Sequence, residues 1–251
     1  MLIMVFILSN YKYIFSNFIF IIFLPSSFAA TFNVVLYNGG NPPYSMVTEG
    51  KRSGIFIDIF IRISDLTGHN FTFLQLPAAR GLREFDLGNV DIEPGINRNW
   101  RLSRKEIGIY SIPYASSTEI LFGIKNKPIE FFSDLYGSMI GVVRGYSYKK
   151  LDEHFGSKKI VKVENKSENE LLKQLSRNHL DYICIGDITA QYYQLLNPNY
   201  RRYEKIIELG NTQVSLRFHP KNSQYLTEFN QALRYMIINK EIEGIYKKYT
   251  L

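Results

Sequence analysis

Cysteine occurs once in the 251 residues, at Cys184. No internal disulfide can therefore form, and a lone thiol inside the apolar run Asp181–Gly186 reads as buried and inert. Histidine is also scarce. His69, His154, His179 and His219 show no metal-ligand spacing, so no metal site and no cofactor are expected, and surface or capping roles suit all four. Past residue 29 no hydrophobic run approaches the roughly 18 residues of a membrane helix, so that part is expected to be soluble. Acidic residues are the minority charge, 23 against 30 basic ones, for a net charge of +7. A basic balance suits nucleic acid, a membrane surface or anionic small molecules equally well.

What is abundant comes first in the chain. Residues 1–29 are almost wholly apolar, with Lys12 their only charge. Ser27-Phe28-Ala29 places small residues at the −3 and −1 positions of a cleavage site. The segment reads as a secretory signal, with a mature start at Ala30 and a net charge of +6; retention as an anchor is the alternative. Export excludes nucleic acid as a partner. The remaining 222 residues can make one large domain or two small lobes.

From Phe32 to Tyr37 the chain has the β-branched and aromatic content of a strand. Asn38–Tyr44 follows as a loop stiffened by Pro42 and Pro43 and ending in an aromatic. Ile55, Ile59, Ile63 and Leu66 recur at helical spacing, closed by Gly68. Asp58, in that helix's first turn, complements the dipole. Phe71–Leu76 alternates as a strand, a short helix runs from Pro77 to near Gly88, and Val90–Ile92 is the next strand. Strand, helix, strand, helix, strand is the signature of a parallel sheet. The loops after its strands carry Tyr44, Arg80 and an arginine cluster on one edge, where ligands sit in open α/β sheets.

That cluster is the most informative stretch. Pro94-Gly95 is expected to end the strand, and Asn97, Arg98, Trp100, Arg101 and Arg104 follow within ten residues. Arginine's planar fork suits bidentate pairing with a carboxylate or phosphate, although a solvated basic loop has the same composition.

A second, similar unit begins with an apolar strand over 119–124. Met139–Val143 is a strand, Arg144-Gly145-Tyr146-Ser147 a turn, and Tyr148–Phe155 a helix whose outward N–H groups make an anion site. Ile160–Val163 is a strand. Ser167 with Glu170 reads as a capping box. Asp181–Ile185 is a strand ending at Asp187, an acid that either faces the crevice or caps the helix from Ile188. Thr212–Phe218 alternates again. Two helices close the chain, one on Leu226, Phe229, Leu233 and Met236, the other on Ile242, Ile245, Tyr246 and Tyr249.

Several segments, in this order and with these gaps, resemble the extracellular solute-binding proteins of family 3, which serve polar amino-acid ABC transporters. They are NPPYSM, GIFIDIFIRISDLTG, LGNVD, YSIPY, FSDLYGSMIGVVRGYSY, LSRNHLDYICIGD and NKEIEGIYKKY. The resemblance, from Phe32 to the C-terminus, implies an α/β fold of two lobes, type II-like. Each lobe is a mostly parallel sheet flanked by helices, joined by two crossing strands near 119–124 and 212–218. The implied organisation is signal peptide 1–29, first lobe 30–118 with 217–251, second lobe 119–216.

The same resemblance implies site roles. An arginine upstream of Pro113-Tyr114 holds the ligand α-carboxylate. Counting back from Pro113 gives Arg104, and counting forward from Gly95 falls beside Arg101. Asp187 matches the acid for the α-ammonium. Gly145, Tyr146 and Ser147 match the turn that donates to the carboxylate, with Tyr146 replacing a small hydroxyl residue. Tyr44 matches an aromatic wall; Ala78 stands where a second aromatic is common, and Arg80 nearby favours a ligand with an extra acidic or acceptor group. Asn97 belongs to the same edge. The implied function is a monomeric periplasmic binding protein for an amino acid or small carboxylate, delivering to a membrane permease, and not an enzyme. The alternatives are a cyclohexadienyl dehydratase-like enzyme using Glu93, or a membrane-tethered sensing adaptor.

Overall fold

A computed structural model describes residues 29–250, apart from 38–41, 49, 125–128, 145 and 147. The targeting segment up to residue 28 and its cleavage lie outside the described residues. In chain order the first elements are β1 (Thr31–Tyr37), β2 (Met46–Thr48), β3 (Lys51–Ser53), α1 (Ile55–Thr67), β4 (Asn70–Leu76), α2 (Ala78–Asp86) and β5 (Ile92–Ile96). They are followed by β6 (Ile109–Tyr110), β7 (Ala115–Gly123), β8 (Met139–Val143), α3 (Lys149–Gly156), β9 (Val161–Asn165) and α4 (Glu168–Ser176). The last are β10 (Tyr182–Gly186), α5 (Asp187–Leu196), β11 (Glu204–Phe218), α6 (Leu226–Ile238) and α7 (Glu241–Lys247).

The strands follow the order β4-β1-β5-β11-β7-β10-β8-β9, with β6 beside β11. Parallel pairs lie within each lobe, β4-β1-β5 in the first and β10-β8-β9 in the second. Antiparallel pairs appear where β7 and β11 join them. This is the two-lobe α/β architecture the sequence implies. β11 is longer than the alternation of 212–218 suggests: it pairs with β7 from Glu204 to Val214, through two register shifts, before reaching β5. Each shift inserts an unpaired residue and bends the strand, which lets one strand serve both lobes.

The first lobe closes around Phe32, Val34, Ile55, Ile59, Phe60 and Ile63, joined by Leu216 and Phe218 of β11 and by Phe229, Leu233 and Met236 of α6. Helical spacing on α1 and α6 and period-two alternation on the strands supply these residues. Asp58 accepts from Lys248 and from the Tyr249 hydroxyl, at 3.1 and 3.2 Å, so it also fastens the chain's last turn to α1. In the second lobe β10 shows its two faces. Ile183 and Ile185 pack under α4 with Leu171, Leu172 and Leu175, while Tyr182 and Cys184 pack under α3 with Ile140, Val142 and Leu151. Cys184 is free and buried, and burial pushes its thiol well above the ordinary value.

Three local expectations are corrected. Pro94 and Gly95 lie inside β5 rather than beyond it. β5 meets β1 at a single residue pair, Val34 with Ile92, and meets β11 across a register shift, so the missing Pro94 N–H disrupts little of the ladder. His69 is not a surface residue. It is 1% exposed, its Nδ1 accepts from the Ala30 N–H at 3.2 Å, and its Nε2 lies 3.0 Å from Glu228. Phe32, Tyr225 and Phe229 enclose its ring. Ser167 caps α4 by accepting from the Glu170 N–H at 3.3 Å, but the reciprocal half of a capping box is not made, because the Glu170 carboxylate pairs with Lys173 at 2.8 Å.

Gly95 sets the position of an aromatic pair at the edge of the first lobe. Its φ of +71° is left-handed, and a Cβ there would meet the tip of the Phe56 ring at 2.6 Å. Phe56 in turn packs against Tyr44, with ring centroids 5.3 Å apart. A side chain at 95 is therefore excluded twice over, and the close backbone approach holds both rings in place.

Candidate functional site

The arginine cluster turns inward on itself. Asn97 opens a single 3-10 turn, Arg98–Arg101, by accepting from the Asn99 N–H at 2.9 Å, and donates to the Gln213 carbonyl of β11 at 2.8 Å. It ties the loop to a crossing strand. Arg101 grips Glu93 with both edges of its fork, Nε at 3.2 Å and Nη2 at 2.6 Å. Glu93, 1% exposed, also accepts from Arg217 Nη1 at 2.7 Å and from the Tyr37 hydroxyl. Burial opposes charge on Glu93. Hydrogen bonds and charge from Arg101, joined by Tyr37 and Arg217, outweigh it and hold the carboxyl below the ordinary range. A carboxylate so held is a poor general acid, which removes the residue on which a dehydratase-like reading rested.

Arg104 lies elsewhere. Its Nη2 donates to Asp86, the last residue of α2. That helix starts beyond the carboxyl end of β4 and returns toward the start of β5. Asp86 therefore sits at the opposite end of the sheet from the strand ends that carry Tyr44. Arg80 stands on α2 with its side chain 67% exposed, 3.8 Å from Glu84. Of the arginines and Asn97 expected to form a ligand edge, the structure gathers Arg101 and Asn97 at β5 and β11, and leaves Arg80 and Arg104 apart.

The opposite wall is acidic. Asp187 is the first residue of α5 and makes no cap; its Oδ2 accepts from Gln191 at 3.2 Å. Glu168 opens α4 and accepts the Gly186 N–H at 3.0 Å. Glu119, on β7, stands in register opposite Gly186. Burial, then the charge of Glu168, raises Glu119 to about 7. Burial raises Glu168 to about 7 as well, against hydrogen bonds from Gly186 and Thr189 that favour the carboxylate. Tyr146 borders them, and its phenol is pushed up to about 12 by desolvation first, then by Glu168 and Glu119. Gly145 and Ser147, the rest of that turn, lie outside the described residues.

Across the gap stands Tyr44, packed on Phe56 and, at 6.4 Å, on Tyr246. Burial raises its phenol well above the ordinary value, with Tyr246, Glu168 and Asp187 adding to the effect. Tyr44 of the first lobe and the acids of the second thus share one electrostatic environment. The lobes also touch directly, the Tyr192 hydroxyl of α5 donating to Met46 Sδ at 3.0 Å. Glu119, Glu168 and Asp187 form no ion pair among the described residues. Asp187 is legible from sequence, whereas Glu119 and Glu168 are not: one reads as the first residue of an apolar strand, the other as a first-turn helix acid.

Chemically, three carboxylates without a cationic partner among the described residues, faced by the half-buried Tyr44 and the exposed Tyr146, make a groove suited to holding positive charge. Among the described residues no cluster of three or more His, Cys, Asp or Glu can hold a metal ion, and no helix is long and apolar enough to cross a membrane.

Comparison with known proteins agrees with this architecture. The arginine-binding extracellular protein ArtP of Bacillus subtilis (strain 168) is 24% identical over 150 residues, 58% of either chain. The match therefore spans well under two thirds of that relative. The GluR0 ligand-binding core in complex with L-glutamate superposes with a TM-score of 0.73 at 17% identity, covering 90% of this chain and 100% of the other. An ancestral arginine-binding protein bound to arginine gives a TM-score of 0.70 at 21% identity, covering 87% and 97%. At these identities the structural likeness carries the fold alone. The model of one family matches residues 34–251, and the chain belongs to it: the bacterial extracellular solute-binding proteins, family 3.

Proposed function

We propose that this protein is the periplasmic capture component of an ABC-type uptake system, and that it binds an amino acid carrying a second positive charge between its lobes. The observation that carries the reading is the trio Glu119, Glu168 and Asp187, without an ion pair among the described residues in a protein whose net charge is +7. Asp187 takes the α-ammonium, and Glu119 and Glu168 take a guanidinium or side-chain ammonium, as the arginine-binding relatives would suggest. Arg101, already engaged with Glu93, Trp100 and Tyr37, turns its remaining donor capacity, with the Gly145–Ser147 turn, to the α-carboxylate. A permease is the partner. The chemistry is binding, with water expelled as the lobes close.

The test is calorimetry with arginine, lysine, glutamine and glutamate between pH 5.5 and 8. Empty, Glu119 and Glu168 hold protons up to about pH 7; a cationic ligand favours their charged forms, so binding releases protons. The unliganded protein binds more protons than the complex, and association therefore strengthens as pH rises, by up to about tenfold per unit for each proton released. Arginine should bind more tightly at pH 8 than at 5.5, with proton release visible as buffer-dependent heat. Preference for glutamate, or affinity that falls with pH, would overturn the cationic reading. The same two groups lower stability as pH rises from about 4.5 to 7, because the folded state holds protons that the unfolded chain has lost.

Arg104 supplies a second expectation. Arg104→Ala should cost about 1–3 kcal/mol of stability by stranding Asp86, yet leave arginine affinity within about twofold. A collapse of binding in a folded Arg104→Ala protein would return the carboxylate contact to Arg104.

A further inference from the structure

We infer that a second small-molecule site lies beside the hinge, distinct from the acidic groove, and that it takes a compact apolar molecule ending in a carboxylate. A cavity of about 410 Å³ opens where the two lobes meet the crossing strand β7. Ile237, Ile242 and Tyr246 of the first lobe form one wall and Ile188 of α5 forms the other, with Tyr114 where the crossing strand begins. None of Glu119, Tyr146, Glu168 or Asp187 lines it. Tyr246 is the partition, since it lines the cavity and also packs on Tyr44 of the groove.

The lining states the ligand chemistry. The walls are aliphatic and aromatic, so the body of the ligand must be apolar. Tyr114 is only 5% exposed, and its hydroxyl is shut off from solvent beside the Gly95 backbone, so it supports the wall and offers a ligand no polar contact. Two charges stand at the rim. Glu243 pairs with Lys247 one helical turn away, and Lys240, exposed and without an ion pair among the described residues, adds a second positive charge near it. The net rim charge open to a ligand is therefore positive. An aromatic or branched aliphatic carboxylate satisfies both features, and a cation does not.

Because its walls belong to both lobes, the site exists only in the arrangement that brings Ile188 against α6 and α7. A molecule bound there favours that arrangement and should strengthen capture in the groove, with an equal reciprocal effect.

Phenylacetate is the probe, with 2-phenylethanol as its uncharged counterpart, titrated by calorimetry and by protein-observed NMR. Saturable one-to-one binding of phenylacetate is expected, weakened about two- to fivefold in the alcohol and in Lys240→Gln. Ile237→Glu should abolish it, since Ile237 is already 40% exposed and the substitution places an acid in the wall without opening the core. Melting curves identify any variant that fails to fold, and the alcohol comparison on the unaltered protein does not depend on them. Absence of saturation at millimolar phenylacetate overturns the inference. Equal binding of acid and alcohol, retained binding in folded Ile237→Glu, or competitive displacement by arginine would overturn it as well.

Discussion

Arg217→Ala is expected to lower the stability of this protein by about 3–5 kcal/mol. That is a large fraction of the roughly 5–15 kcal/mol typical of a whole domain. Arg217 is 0% exposed and donates to Glu93, to the Ile107 carbonyl at 2.9 Å and to the Glu106 carbonyl. Its guanidinium lies 3.7 Å from the centre of the Phe85 ring, adding cation–π attraction in a water-free setting. Removing it strands two carbonyls and opens a void between β11 and α2. Arg217→Met keeps most of the volume and should cost less, and coupling it to Glu93→Gln should cost less than the two changes separately. Urea unfolding of the unaltered protein and the four variants measures all of this. Additive losses would show that Glu93 and Arg217 do not act as a pair.

The largest functional loss is expected from Asp187→Asn. An ammonium in a closed groove has given up its water, so removing its counter-charge should cost on the order of 2–5 kcal/mol of arginine affinity, roughly 30-fold to several thousand-fold. Asp187 makes no cap and, among the described residues, its side chain bonds Gln191 alone, so the fold should survive the change. Glu119→Gln and Glu168→Gln should weaken arginine less and reduce its preference over glutamine. They should also flatten the pH dependence, because these two groups titrate near 7. An Asp187→Asn protein that melts normally and binds arginine undiminished would remove Asp187 from the site.

The parts of this structure legible in sequence are those set by local periodicity. Alternation places β4, apolar and β-branched content places β1, β8 and β10, and helical spacing places α1 and α6, within a few residues of their positions. Pairing between charges is not local in the same sense. The count of arginines after β5 shows a positive field but not that Glu93, buried in the strand before them, and Asp86, at the foot of a helix, would absorb it. A guanidinium is as ready to meet a carboxylate of its own chain as one on a ligand. His69 is misread for a related reason, since nothing in its neighbours along the chain reveals Glu228, 159 residues away, or Phe229 beside it. The acids of the groove are scattered over β7, α4 and α5, and only the sheet order brings them together.

The path of β11 also bears on the order in which the chain can fold. Leu216 and Phe218 complete a core begun by Phe32 and Val34, and all residues of the second lobe lie between them. The second lobe is continuous and can collapse as soon as it is complete. The first cannot bury its apolar strands until β11, α6 and α7 have arrived, and closing so long a loop is slow. During synthesis the earlier segment should thus remain extended and accessible to chaperones while the later one is already compact. Pulse-labelled hydrogen exchange should find β8 and β10 protected before β1 and β5. A lesion in α6 should accordingly retard assembly of the amino-terminal half.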